Sequence, residues 1–520
     1  MSNESFKEDL DNKIIIMTPS SDNVAVAKQD INCRELIRLT TDEFKVLSFV
    51  KKAQRLAIRD IKKGEFLKQY GYSFGMSKGI SKGEIISVNN TLNIVPEISM
   101  GKYKEPPETK YDELYTKKIF KGYFRENGMV GTRNYYLVIP TSMCANDTAI
   151  QIARIFEDEK QSLRKSSAFD GVLAIPHTEG CGCDSGVQID RLLLILKGYV
   201  VHPNVGGCLL LDLGCEQTNY ERVAAYMGDL TSQNIKPIDW ITIENIGGVE
   251  AAREKARGII SSRLPAVMDI KRKPCPLGEL IVGTECGASD SFSGITANPL
   301  IGNVVDKVIH GKGSAILSEM PEMVGTLEML LPRFRSLEIA EKFISAMDWY
   351  VNFAKKLGLT LEANLVPKNI EGGLINNYIK SLGAVLKGGT TAIEDVVDYG
   401  ERVKRRGLTI MQGPGGDPES VTGIVASGAN IICFSTGQGT PGGSVICPVV
   451  KVATNNEVFN KLSRDIDFNA GRMLTEPASF EALAEELLEL VIKVASGQET
   501  AAERLGQRQF QIWTAGKLSL

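Results

Sequence analysis

Glu279-Leu280-Ile281-Val282-Gly283-Thr284-Glu285-Cys286-Gly287-Ala288-Ser289-Asp290 decides the fold. A short apolar run ends in a polar loop carrying Cys, Gly and hydroxyl groups. A helical pattern follows at 298–310, where Ile301, Val304, Val305 and Val308 share one face. Five more apolar runs end the same way. Residues 135–140 run into Thr141-Ser142-Met143-Cys144, and 171–176 into His177-Thr178-Glu179-Gly180-Cys181. Residues 208–213 lead to Gly214-Cys215-Glu216, 315–317 to Ser318-Glu319, and 429–434 to Ser435-Thr436-Gly437. Apolar runs of about four to eight residues bounded by turns read as strands buried on both faces, as in parallel sheets. Segments 337–357 and 480–494 carry the spacing of longer amphipathic helices. The fold class is therefore α/β, a large body with largely parallel sheets in two subdomains. Such sheets bind ligands at the carboxyl ends of their strands, so all six loops are expected to converge there.

The region before this body reads differently. Alternation through Leu56-Ala57-Ile58-Arg59-Asp60-Ile61 stops at Lys63-Gly64-Glu65, and a second unit ends at Lys82-Gly83-Glu84. Short segments with turns at this spacing argue a small all-β domain over 20–95. Residues 96–121, rich in Lys, Glu, Pro and Tyr, read as a linker. The body then divides into 122–270 and 271–515.

Lys and Arg number 60 against 63 Asp and Glu in 520 residues, a formal charge of −3. That balance gives no electrostatic reason to bind nucleic acid or an acidic membrane. The greasiest run, from Leu192, breaks at Lys197, short of a membrane span. The opening residues, with Asn3, Glu4, Lys7, Glu8 and Asp9, do not read as an export signal, and a cytoplasmic protein is expected. Ten cysteines in a reducing compartment are metal ligands, catalysts or buried thiols rather than disulfides. Only three histidines occur, His177, His202 and His310, so a His-rich zinc site is excluded.

His177 and Cys181 lie four apart in a Gly-rich loop, a spacing that lets both reach one metal. Cys144, Cys215, Glu216, Cys286 and Asp290 stand on neighbouring strand ends. Thiolates with imidazole suit iron or zinc, and cysteines on four strand ends are also the arrangement of an iron–sulfur cluster. The alternative is that small Cys residues fill tight turns. Gly437-Gln438-Gly439-Thr440-Pro441-Gly442 matches a dinucleotide fingerprint, but the sequence beyond it is extended where that motif needs a helix. A backbone nest for a carboxylate or hydroxyl fits better. Residues 293–299 offer an anion-friendly helix start or plain capping by Asn298. Glu319 and Glu322 are acid/base carboxylates or helix-start residues. His202 either polarises a substrate or is structural.

These loops resemble the altronate and galactarate dehydratase family, which also includes the sulfolactate sulfo-lyases. The matching stretches are GYFRENGMVGTRN (122–134), 177–181, HPNVGGCLLLDLGCE (202–216), ECGASDSFSGITANP (285–299), SEMPEMVG (318–325), KSLGAVLKGG (380–389), FSTGQGTPGG (434–443) and KVATN (451–455). They run in family order over about residues 20–515, and the β region is similar to a SAF-type domain. The resemblance implies a lyase dependent on iron(II) or another divalent metal that removes water from a sugar acid, giving a 2-keto-3-deoxy acid. A lyase with another leaving group and a non-catalytic paralogue are the alternatives. Carried onto this chain, His177, Glu216 and Glu319 are the expected catalytic groups. Cys181, Cys215 and Cys286, together with Cys144 from the reading of the strand ends, are the expected metal ligands. Ser289, Asp290, Asn298, Ser435, Thr436 and Gly437 are the expected substrate contacts. The partner implied is a small sugar acid, with a homo-oligomer as the assembly.

The sequence departs from the family pattern in three places. Ile85, Ser87 and Asn89 stand where many altronate dehydratases carry an alternating His run. Ile370 replaces a Lys and Gln438 an Arg. Each change removes a cationic or potentially cationic group, and Lys368 is the nearest replacement in sequence.

Overall fold

The computed structural model describes residues 12–40, 42–158, 169–182, 186–228, 236–476 and 479–514. Between Ile14 and Leu92, eight short strands form three small antiparallel sheets. Their turns explain the Lys-Gly-Glu signal. The carboxylates of Glu65 and Glu84 accept hydrogen bonds from the backbone N–H of Lys62 and Ser81, closing each turn on itself. Gly64 and Gly83 take the left-handed conformation between them, at φ +85° and +81°. A third copy closes Glu35 onto Asn32, with Arg34 at φ +66° in the glycine's place, which is why the sequence hid it.

The expected linker runs into the strand Ile119–Phe124, which pairs antiparallel with Val130–Gly131 and Lys273–Pro276. Beyond it stand two parallel sheets, as the apolar runs require. The first has four strands in the order Gly171–Ala174, Tyr135–Pro140, Val205–Asp212, Ile238–Thr242. The second has seven, in the order Ile393–Val397, Gly407–Met411, Ser314–Leu317, Ile281–Gly287, Ile431–Thr436, Val449–Ala453, Phe468–Asn469. The central strands of both are buried along their whole length, which fits their unbroken apolar character.

The two sheets share a helical layer. Val187–Val201 from the first packs against Asp417–Ala426 from the second, and one apolar core joins Leu192, Leu196, Ile424 and Phe434. The N-terminal sheets are fused to the second sheet instead. Leu67, Tyr70 and Phe74 share a core with Phe292, Ile295, Leu374 and Ile379. Contact there is tight: a Cβ on Gly373 would lie 2.2 Å from the carbonyl oxygen of Ala53. No helix among the described residues is long and apolar enough to cross a membrane.

Candidate active site

In the seven-stranded sheet, Ile281–Gly287 lies between Ser314–Leu317 and Ile431–Thr436, so the loops after 287, 317 and 436 open side by side. Two non-glycine residues in these loops are left-handed, Ala288 at φ +53° and Glu319 at φ +72°. Such backbone is costly and persists where surrounding contacts enforce it.

At Glu319 the contacts are ionic. Lys387, wholly buried, bonds to the Glu319 carboxylate and places its Nζ 2.7 Å from Cys286 Sγ. Cys286 Sγ lies 3.1 Å from Glu322 Oε2, and the Cys286 N–H donates to Glu319 at 3.2 Å. Lys380 Nζ closes the set 2.8 Å from Glu322 Oε1. Two carboxylates and two ammonium groups are thus exchanged in the dry interior, where unpaired charges are untenable. Burial and the neighbouring Glu322 push the Glu319 carboxyl up to about 8, against the opposing pull of Lys387. Glu322 is held below the usual carboxylate range, its burial outweighed by Lys380 and Lys387. Burial drives the Cys286 thiol well up, with Glu319 and Glu322 adding to the effect. Asp417, on the next helix, is pushed up to about 6, chiefly by burial.

Beside this cluster is a narrow pocket that opens to solvent. Cys286, Ser289, Asp290, Asn298 and Lys380 line it from the seven-stranded sheet, and Arg55 and Tyr70 from the N-terminal strands. Arg55 is 1% exposed. It donates to Gln69 Oε1 at 2.7 Å, Ser291 Oγ at 2.9 Å and the Gly373 carbonyl at 2.6 Å. No carboxylate pairs with it among the described residues; burial lowers its guanidinium to about 10. A charge buried without a counter-ion is costly, and here it faces a polar pocket.

Of the expected substrate contacts, Ser289, Asp290 and Asn298 line this pocket, whereas Ser435, Thr436 and Gly437 are not part of its lining; several of the six hold the surrounding loops together. Asp290 accepts from Ser293, Thr454 and Asn455. Thr436 Oγ1 accepts from Gly439 N–H, and Gly437 N–H donates to the Ala288 carbonyl. Ser435 Oγ donates to Asn298, whose amide donates to the Gly383 carbonyl. Thr296, not Asn298, precedes the helix Ala297–His310, so Asn298 is no cap.

The residues expected at one centre stand at the ends of two different sheets. Cys286 belongs with Glu319, Glu322 and Lys387, whereas Cys144, Cys181, Cys215 and Glu216 gather at the end of the four-stranded sheet. The six strand ends divide between two sheets, and so do their loops. His177 is there too, its ring nitrogens engaged by the Pro140 carbonyl at 2.8 Å and the Glu179 N–H at 3.2 Å. Glu216 accepts from the backbone of Leu213 and Gly214 and from Ser142 Oγ. Both groups hold loops together. His202 is likewise structural, buried between the Ala429 carbonyl and the Asn204 N–H, with burial lowering it to about 3.

Sequence reasoning missed Lys380, Lys387 and Arg55. The two lysines stand seven apart in a helical stretch of small residues, a same-face spacing that could have flagged them. Arg55 carries no comparable signal among Lys51, Lys52 and Arg59.

Comparison with known proteins settles the family. Residues 12–93 match the altronate/galactarate dehydratase SAF domain. Residues 122–268 match the D-galactarate dehydratase/altronate hydrolase second domain, and 277–518 the D-galactarate/altronate dehydratase C-terminal domain. The chain belongs to the altronate/galactarate dehydratase family. It is 34% identical over 510 residues to altronate dehydratase of Bacillus subtilis (strain 168), covering 97% of this chain and 99% of that one. It is 29% identical to galactarate dehydratase (L-threo-forming) of Escherichia coli (strain K12), covering 96% of each. It is also 30% identical to the (2R)-sulfolactate sulfo-lyase subunit beta of Chromohalobacter salexigens, over 76% of this chain and 96% of that subunit. Membership across nearly the whole chain makes the protein a hydro-lyase.

Proposed function

We propose that the protein removes water from a sugar acid, an altronate-like aldonate or an aldarate, to give a 2-keto-3-deoxy acid. The observation that carries this reading is Arg55: a buried guanidinium, without a carboxylate partner among the described residues, lining the pocket that opens on Cys286 and Lys380. A substrate carboxylate supplies the missing counter-ion, and the planar guanidinium suits it. Ser289 lines the same pocket and serves a hydroxyl.

Dehydration next to a carboxylate needs a base for the α-proton, stabilisation of the enolate, and an acid for the departing hydroxyl. Glu319, pushed upward by burial, is the proton acceptor we assign. Lys387, kept protonated by the anionic groups around it, is the donor to the leaving oxygen. Lys380 fixes Glu322 in its ionised form. The sulfo-lyase alternative needs cations for a second anion, and Lys380 and Lys387 are both committed to carboxylates.

A divalent metal, iron(II) foremost, fits this donor set. Cys286, Glu319 and Glu322 each offer a ligand atom within 4.8 Å of the others, and one thiolate with carboxylates suits iron. Cys286 and Glu322 would hold it, Glu319 being kept for proton transfer. Bound there, it would supply Lewis acidity to the enolate oxygen. The nine described cysteines other than the one outside the described residues are free thiols, which suits the cytoplasm as the compartment.

The test is incubation of anaerobically purified protein with iron(II) and a panel of aldonic and aldaric acids, reading 2-keto-3-deoxy product. Formation from at least one acid, lost in Glu319→Gln, is the expected result. No product from any acid, with metal bound, overturns the reading.

A further inference from the structure

The second group of cysteines has an architecture of its own. Cys144 follows the strand Tyr135–Pro140, Cys181 follows Gly171–Ala174, and Cys215 follows Val205–Asp212. These are three neighbouring strands of one parallel sheet, so the thiols come to the same edge. The Cys144 thiol has Cys181 as its nearest titratable neighbour, with Cys215 and Glu216 close by. Cys144 and Cys215 are exposed and Cys181 is half-buried, unlike Cys208, Cys275, Cys433 and Cys447, which are packed into cores.

The three loops are laced together independently of their sulfurs. Glu216 accepts from Thr141 and Ser142 in the Cys144 loop, and Thr218 Oγ1 donates to the Thr141 carbonyl at 2.7 Å. The Met143 N–H donates to the Glu179 carbonyl, and Asn146 bonds both the carbonyl and the N–H of His177. A Cβ on Gly180 would lie 2.5 Å from the Thr141 carbonyl oxygen, so the Cys181 loop is pressed onto the Cys144 loop. Glu216, His177 and Asn146 spend their polar atoms on this lacing. What the lacing leaves at the open edge, among the described residues, is the thiols of Cys144, Cys181 and Cys215.

We propose that Cys144, Cys181 and Cys215 bind an iron–sulfur cluster, separate from the Cys286 site. Soft thiolate sets select zinc, copper(I) or iron–sulfur clusters. A single tetrahedral zinc ion, with bonds of about 2.3 Å, needs its sulfurs only ~3.8 Å apart. The three sulfurs do not all meet that: among the described residues at least one pair of them stands more than 4.8 Å apart, unlike the ligand atoms of Cys286, Glu319 and Glu322. A cluster spans the larger gap. Binding is ligand exchange: each thiol loses its proton to solvent and its sulfur displaces one small-molecule thiolate, such as that of dithiothreitol, from an iron of a preassembled cluster, so that one S–Fe bond forms as another breaks and no oxidation state changes. One iron keeps a corner free for water or an anionic oxygen.

The experiment does not depend on turnover. The full chain is purified anaerobically, reconstituted with iron, sulfide and dithiothreitol, and assayed for iron, acid-labile sulfide, visible charge-transfer absorption and the electron paramagnetic resonance signal after reduction. About four iron and four sulfide per chain are expected for a cuboidal cluster. The content should fall at least tenfold in the Cys144→Ser, Cys181→Ser, Cys215→Ser triple variant and persist in Cys286→Ser. Cys215→Ser alone, at an exposed position, should fold as the parent by circular dichroism and show a weakened, oxygen-labile cluster. Zinc without sulfide, a cluster that survives the triple substitution, or one lost in Cys286→Ser would each overturn the proposal.

Discussion

The two parallel sheets end in loops of similar composition, yet the chemistry at their edges is opposite. At the seven-stranded sheet, Cys286 is 3% exposed and enclosed by two glutamates and two lysines. At the four-stranded sheet, cysteines of equal promise in the sequence stand at an open rim, and the nearby glutamate and histidine are spent on backbone hydrogen bonds. Cover makes the difference. The N-terminal strands and the helix Asn377–Ala384 close over the first edge, and a closed edge must neutralise its own charges. An open edge leaves that to solvent.

The most forceful way to break this comparison is Lys387→Met. Removing one partner of a buried ion pair strands the other, which costs about 3–5 kcal/mol. Thermal unfolding should register a loss of that order, and sugar-acid dehydration should fall at least about a thousandfold, since the acid for the leaving hydroxyl is gone. Cys215→Ser at the open edge should change stability by no more than about 0.5 kcal/mol. Equal melting shifts in the two variants would mean the edges are energetically alike.

Arg55→Gln probes what the cover contributes beyond exclusion of water. A hydrogen bond to a charged group contributes about 1.5–3 kcal/mol, so KM for the sugar acid should rise about 10- to 150-fold, with kcat much less affected. Arg55→Lys should recover part of the loss. A fall in folded protein at unchanged KM would mark Arg55 as only a tether between the N-terminal strands and the body.

Asp22 gives a smaller, pH-dependent measure of the same cover. Its carboxylate accepts from the N–H groups of Thr18, Tyr70 and Gly71, and so fixes Tyr70 at φ +60° beside the pocket. Burial nevertheless raises its carboxyl from 3.8 to about 6. An acid raised on folding keeps a proton that the unfolded chain releases. Its contribution to stability is therefore complete below 3.8 and lost as pH rises through about 6. At 1.36 kcal/mol per unit, the decline is at most about 3 kcal/mol. Urea titrations across that window should show the slope in the parent and a flatter one in Asp22→Asn. An unchanged slope would assign the proton uptake elsewhere.

Much of the architecture was legible because it is periodic. Apolar runs marked the strands of both parallel sheets, and two Lys-Gly-Glu turns marked the β region. Strand order was not legible, since a run of Val and Ile carries no record of its neighbours. For that reason six strand ends read as one group, where the structure divides them between two sheets. Within the site, loop residues with obvious chemistry were found: Cys286, Ser289, Asp290, Glu319. Their cations were not. Lys380 and Lys387 lie in helical turns, Arg55 is more than 200 residues away in a different sheet, and only tertiary packing brings the three together.

Rim charge should have the smallest effect. Gln438 donates to the Lys368 carbonyl at 2.8 Å, Lys368 pairs with Glu371, and Ile370 is 50% exposed. Lys368 and Ile370 belong to the short helix Pro367–Glu371, whose Asn369 donates to the Ser289 carbonyl. Lys368 is thus no substitute for the missing family cations; it already has a partner, in water. Restoring them with Gln438→Arg or Ile370→Lys places a charge where screening limits its worth to about 0–1 kcal/mol, so KM for the sugar acid should fall no more than about fivefold. A fall of a hundredfold in either variant would invert the argument. The anion would then be held at the open rim, and the buried guanidinium beneath it would have to be explained by packing alone.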